Sequence, residues 1–198
     1  MPEASRPHLG SRQKVGGDGD PEVFVADEHQ TVAVDLPRWE ALAEAVLAAE
    51  GVRGNVELSV LFVEPDDIAA LNEQFLGEAH PTDVLAFPID AVDVDVMSSP
   101  TSGHSGPDRP PADPSDQPLL LGDVVVCPAV AEMQAAEHAG TVDDELALLV
   151  VHGILHVLGY DHDHPDETAA MRARERTLLE AHHWHGPAPD GFRQEQPS

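Results

Sequence analysis

From Leu146 to Leu158 the chain is apolar on nearly every side of a helical projection. Leu146, Leu148, Leu149, Val150, Val151, Ile154, Leu155 and Leu158 surround the axis, yet the same stretch carries His152 and His156. A helix without a wet face must lie inside a core, so its two imidazoles need a cleft cut into that core. Being four residues apart, they sit one above the other on a single face and can converge on one ion. Gly159 supplies a residue able to turn left-handed and end the helix, after which His162 swings back as a third imidazole. Thr141-Val-Asp-Asp144 resembles a capping box at the helix start. The spacing predicts one zinc ion per chain, held by His152, His156 and His162. Three protein ligands on a tetrahedral ion leave the fourth position for a catalytic water.

The 12 histidines of the chain are not equal in this respect. His164, His182, His183 and His185 have no partner at a defined helical spacing and read as a solvated, His-rich tail. The run also nearly matches the zinc-protease pattern H-E-x-x-H-x-x-G-x-x-H, in which a glutamate beside the metal deprotonates the attacking water. Here that position is Gly153. Losing such a base costs about 100- to 10,000-fold, so peptidase chemistry is not supported. Phosphodiester hydrolysis fits better, because zinc can both activate water and neutralise phosphoryl charge.

The block His152-Gly-x-x-His156-x-x-Gly159-Tyr160-Asp161-His162 resembles the signature of the bacterial YbeY family. Leu71-Asn72 followed by Pro81-Thr82-Asp83-Val84-Leu85-Ala86-Phe87-Pro88 is similar to a second family motif, and Leu121-Gly122-Asp123-Val124-Val125-Val126-Cys127 to the strand before its helical half. The resemblance runs from about Val23 to about Leu179. It implies a cytoplasmic, zinc-dependent, single-strand-specific endoribonuclease that matures ribosomal RNA precursors, including the 3′ end of 16S rRNA, and serves ribosome quality control. Its implied partners are precursor rRNA, small-subunit ribosomal proteins and an assembly GTPase, with no DNA and no membrane. Asp161 and Asp163 are candidates for orienting a ligand imidazole, and Thr82 and Asp83 for the substrate groove. The chain departs from many members at one point. Leu76 and Glu78 stand where a basic residue faces the active site, so no arginine there can grip phosphate.

Composition presses against an RNA substrate. The formal net charge is -27, Lys14 is the only lysine, and Arg172, Arg174 and Arg176 form the only basic cluster. Nucleic-acid binding usually draws on such cations to displace counterions from phosphates. On a helix these arginines are equally suited to pair with Asp166, Glu175 or Glu180. A second function class therefore stands beside the first: a ribosome-assembly factor with a structural zinc, whose acidic surface meets basic ribosomal proteins. A metalloprotease is a distant third. Cys127, the single cysteine, excludes an intrachain disulfide and reads as a buried thiol at a strand end.

A chain of 198 residues with polar stretches at its start and middle holds one domain. A disordered tail is expected over 1–21, the domain over 22–182 with a flexible acidic, Pro-rich insertion at 90–118, and a second disordered tail over 183–198. No apolar run is long enough to cross a bilayer. Within the domain, strands are expected at Glu22–Ala26, from Val56 to Phe62, at Val84–Phe87 and at Leu120–Cys127. Helices are expected at Pro37–Glu50 with a stripe of Trp39, Leu42 and Val46, after Asp66-Asp67 with a buried face of Ile68, Leu71 and Phe75, from Pro128 with Val130 and Met133, then the metal-bearing helix, and last Asp166 to Glu180. The fold class is α+β: a single domain with a small four-stranded mixed sheet packed by about five helices, the metal-site helix buried.

Overall fold

The computed structural model of the chain describes residues 20–28, 32–89, 118–161 and 164–194. Nearly all of the expected N-terminal tail and acidic insertion, and the last four residues, lie outside these. Within the described residues nine elements follow in order: β1 (Glu22–Asp27), α1 (Leu36–Ala49), β2 (Val56–Phe62), α2 (Pro65–Leu76), β3 (Val84–Pro88), β4 (Leu119–Val126), α3 (Pro128–Gln134), α4 (Val142–Val157) and α5 (Pro165–His182). The fold is α+β, as the sequence pattern predicts. Its four strands take the order β1-β2-β4-β3, with β1, β2 and β4 parallel and β3 antiparallel to β4.

The sheet has a deep face and a shallow one. Strict alternation in β2 sends Val56, Leu58, Val60 and Phe62 inward, all fully buried. Leu58, Val60 and Phe62, with Val23, Val124 and Val126, meet the apolar stripes of α1, α4 and α5 in the main core. Trp39, Leu42 and Val46 of α1 are buried in it as expected, and the Trp39 and Phe62 ring centroids lie 6.3 Å apart. The opposite face carries a smaller cluster in which Val125 and Leu85 meet Ile68 of α2 and Val130 of α3. Cys127 is buried there, and that burial pushes its thiol up from its ordinary range, two backbone hydrogen bonds opposing in part. It lies between β4 and α3 as a buried thiol.

The shallow face also explains two differences from expectation. Phe75, assigned to the buried face of α2, is 55% exposed and tilts against Phe87 with centroids 4.8 Å apart; Met133 of α3 is 73% exposed. Each helix does present an apolar stripe. The small cluster beneath is too short to cover the far end of either.

A third difference is larger. Residues 183–194, expected to begin a solvated tail, return to the core. Trp184 and Phe192 pack against it with ring centroids 4.7 Å apart. The Trp184 indole N–H donates to Asp144 Oδ1 at 2.6 Å, His183 Nε2 donates to the same oxygen at 2.8 Å, and the Arg193 amide donates to the His138 carbonyl at 3.0 Å. An indole gains too much from burial to trail in water when a carboxylate stands ready for its N–H.

Candidate metal centre

α4 runs through the middle of the molecule, against β3 and β4 on one side and α1, α3 and α5 on others. Thr141 caps it as the sequence predicts, its hydroxyl accepting from the Asp144 amide at 3.1 Å and donating to Asp144 Oδ2 at 2.6 Å. At the other end Gly159 takes φ +88°, its amide donating to the His156 carbonyl and that of Tyr160 to the Leu155 carbonyl. This paired 5→2 and 6→1 closure is a Schellman motif, and it sends the chain sharply away about two turns beyond His152 and less than one beyond His156.

The two histidines of α4 face each other edge to plane. Their ring centroids are 4.5 Å apart at 77°, and their Nε2 atoms are separated by 3.1 Å. Two nitrogens bound to one tetrahedral zinc at about 2.0–2.1 Å stand roughly 3.3 Å apart. The pair therefore fits a shared ion with only slight adjustment. Among the described residues no group of three or more histidines, cysteines or carboxylates assembles to hold one. His162, the expected third imidazole, and Asp163 both lie outside the described residues, and the described chain reaches the exposed Asp161 just before them.

Behind the pair stands a residue expected only as a partner for the arginines of α5. Glu175 of α5 is 3% exposed, and its Oε1 accepts a hydrogen bond from His152 Nδ1 at 2.7 Å. Its Oε2 accepts from the Gln194 side-chain amide at 3.0 Å, and the same amide nitrogen donates to the Arg172 carbonyl at 2.8 Å. The sequence does carry a signal for Glu175. It falls on the stripe of α5 shared by Met171, Leu178 and Leu179, where a carboxylate demands a partner. For Gln194 no sequence signal exists, because its position depends on the returning C-terminal segment.

The turn after α4 is tied down separately. Tyr160 donates its hydroxyl to Glu50 Oε2 at 2.9 Å, and Arg174 of α5 pairs through Nε with the other oxygen of the same carboxylate while reaching the Ala49 carbonyl at 3.1 Å. The basic cluster is thus partly spent on structure. Arg176 pairs with Glu180 at 3.2 Å, one of the partners expected, and Arg174 with Glu50, which was not among them.

Thr82 and Asp83 form a local turn. Asp83 is buried and its Oδ1 accepts from the Thr82 hydroxyl at 3.1 Å and the Val84 amide at 2.9 Å, while its carbonyl accepts from the Cys127 amide at 2.8 Å. These bonds start β3 against the end of β4. None of them reaches His152 or His156. Position 153 also differs from the zinc-protease reading: a Cβ built on Gly153 would come 2.4 Å from Val124 Cγ1, so a side chain there would enter the sheet rather than the cleft.

A profile of the family described as Endoribonuclease YbeY matches residues 24–183. Relatives named Endoribonuclease YbeY include one from Frankia casuarinae, 44% identical over 165 residues covering 83% of this chain and 75% of the relative. Another, from Salinispora tropica, is 44% identical over 146 residues covering 74% and 87%. A third, from Mycolicibacterium smegmatis, is 38% identical over 147 residues covering 74% and 75%. Among solved structures, the solution structure of a Thermotoga maritima protein is similar with a TM-score of 0.50 at 28% identity, covering 80% of this chain and 87% of that one.

Proposed function

Since the chain belongs to the Endoribonuclease YbeY family, we propose that it is a zinc-dependent, single-strand-specific endoribonuclease acting on ribosomal RNA precursors in the cytoplasm, including maturation of the 3′ end of 16S rRNA and ribosome quality control. The observation that carries the metal part of this reading is the 3.1 Å separation of the His152 and His156 Nε2 atoms inside a core helix. Two half-buried imidazoles whose Nε2 atoms stand at nearly the separation of two ligands on one tetrahedral ion support a shared metal. His162, just past the Schellman turn, is assigned as the third ligand on spacing alone.

When bound, the ion supplies Lewis-acid activation of water and of a phosphoryl oxygen. The chain's own groups do the rest. His152 and His156 would hold it through Nε2, each as a neutral imidazole, which is the form a ligand requires. Glu50 anchors Tyr160 and with it the turn that leads to His162. No glutamate base accompanies the ligands on α4, because Gly153 is pressed against Val124. Leu76, exposed at the end of α2, and Glu78 offer no cation to phosphate.

The net charge of -27 favours one second reading, an assembly factor that holds structural zinc and binds basic ribosomal proteins. One experiment separates the two. Purified protein is incubated with ribosomal RNA precursor, with and without chelator, beside His152→Ala and His156→Ala proteins whose zinc content is measured by elemental analysis. Cleavage that is lost with the metal and in both variants supports the nuclease. Cleavage that survives either removal overturns the metal mechanism, and intact RNA with tight binding of small-subunit proteins supports the second reading.

A further inference from the structure

We propose that Glu175 is a positioning residue for the metal centre and that Gln194, carried in by the C-terminal segment, completes it. This inference rests on the metal reading above and names residues that reading does not require.

The bond between Glu175 and His152 could be a staple between α5 and α4 and nothing more. Three observations argue for a further role. First, the imidazole uses Nδ1 toward the carboxylate, at 2.7 Å, and leaves Nε2 as the atom facing His156 Nε2 at 3.1 Å. A carboxylate accepts and does not donate, so the bond holds a ring proton on Nδ1 and reserves Nε2 as the nitrogen that can offer a lone pair to a metal. A staple would be served equally by either nitrogen. Second, the carboxylate sits among Met171, Leu178 and Leu179 at a place where an apolar side chain would pack without desolvating a charge. Third, its remaining oxygen is not left to water. Gln194 directs one amide hydrogen to Glu175 Oε2 and, from the same nitrogen, another to the Arg172 carbonyl, so the amide cannot turn its own oxygen toward the carboxylate without losing both bonds.

Gln194 arrives there because the preceding residues are fastened. Trp184 is bound to Asp144, its ring lies against Phe192, and the Arg193 amide is held by the His138 carbonyl. The order of dependence is therefore Trp184 and Phe192, then Gln194, then Glu175, then His152. Outer partners of this kind fix the orientation of a ligand imidazole and raise its basicity, and removing one typically weakens metal binding by about 10- to 100-fold.

The test uses the full chain with Glu175→Gln, Gln194→Ala, both together, and His152→Ala as the ligand control. Zinc affinity is read by competition with a chromophoric chelator, the metal-free fold by thermal unfolding, and the His152 tautomer by imidazole 15N shifts of the metal-free protein. Glu175→Gln is expected to keep the metal-free melting temperature near that of the parent, to weaken zinc on the order of 10- to 100-fold, and to move His152 away from a pure Nδ1–H form. Gln194→Ala should shift both readouts the same way by less, and should add nothing in the Glu175→Gln background, because it acts only through that carboxylate. Parental zinc affinity and an unchanged tautomer in both single variants, in a protein whose zinc is lost on His152→Ala, would overturn the inference and leave the metal reading standing. Should the parent bind no zinc, or His152→Ala bind it as the parent does, the metal reading fails and this inference with it. If Glu175→Gln does not fold, Gln194→Ala decides the matter by the same readouts, its side chain being only partly buried.

Discussion

Gly153 occupies the position where a zinc protease carries its glutamate, and the reason for glycine here is steric. With Val124 fully buried and 2.4 Å from the missing Cβ, even one methyl group overfills the contact between α4 and β4. Gly153→Ala is expected to lower stability by about 1–3 kcal/mol, and Val124→Ala in the same chain to recover part of that loss. Parental stability of Gly153→Ala in urea unfolding would show that the helix can slide away at no cost. The neighbouring carboxylates Asp144 and Glu145 behave oppositely. Burial raises the Asp144 carboxyl, but bonds from Thr141, Trp184 and His183, with the His183 charge, outweigh it and hold the group below its ordinary value. Its stabilising contribution is thus present above an unfolded pKa of about 3.9 and is lost as pH falls through the lower folded value. Glu145 is raised, chiefly by burial with some help from Asp83, against bonds from Ala139 and His138. Its contribution is present below about pH 4.3 and is lost as pH rises through the higher folded value. Urea midpoints measured in small pH steps should show Asp144→Asn flattening the acid limb and Glu145→Gln flattening the decline on the other side. An acid limb unchanged by Asp144→Asn would remove Asp144 from that account.

At the scale of elements, three pieces of structure meet at one buried carboxylate. Glu50, just past the end of α1, receives Tyr160 from the turn after α4 and Arg174 from α5. Tyr160→Phe strips one partner from a carboxylate whose side chain is 4% exposed. It should cost about 1–3 kcal/mol, the usual penalty for a buried acceptor left unmatched. Urea unfolding checks this, and a midpoint equal to the parent's would mean that water replaces the phenol without loss. The elements themselves were legible because each has one dominant period. β2 alternates strictly, α1 repeats at helical spacing, and Thr141 and Gly159 punctuate α4 with their own side-chain and backbone chemistry. Where the reading missed, at Phe75 and Met133, the period was right. What a stripe cannot say is how far the opposing surface extends.

Over the whole molecule, the C-terminal segment and the charge have the widest consequences. A chain ending after His182 would lose Trp184 and Phe192 from the core and uncover Asp144. We expect such a truncation to destabilise the fold by at least about 2 kcal/mol, from lost aromatic burial alone, and a melting temperature unchanged from the full chain would show the segment to be dispensable. The charge bears on the substrate. With ten lysines and arginines against 37 acidic residues, and Arg174 and Arg176 already paired, few cations remain to displace counterions from RNA. The slope of log affinity against log salt for single-stranded RNA should therefore be no steeper than about -2, at roughly -0.7 per neutralised phosphate. A much steeper slope would reveal a basic surface that the described residues do not display.

The sequence by itself determined the α+β class, the burial of α4 and the facing of His152 and His156, since each follows from the periodicity of neighbouring residues and from local chemistry at Thr141 and Gly159. Only the tertiary structure decided what surrounds that pair. Glu175 lies 23 positions from His152, Glu50 lies 110 from Tyr160, and Asp144 lies 40 from Trp184. Contacts at such separations leave no period to read, because they depend on how whole helices are placed against one another, and a buried glutamate or a late glutamine finds its meaning only when that placement brings a partner within about 3 Å.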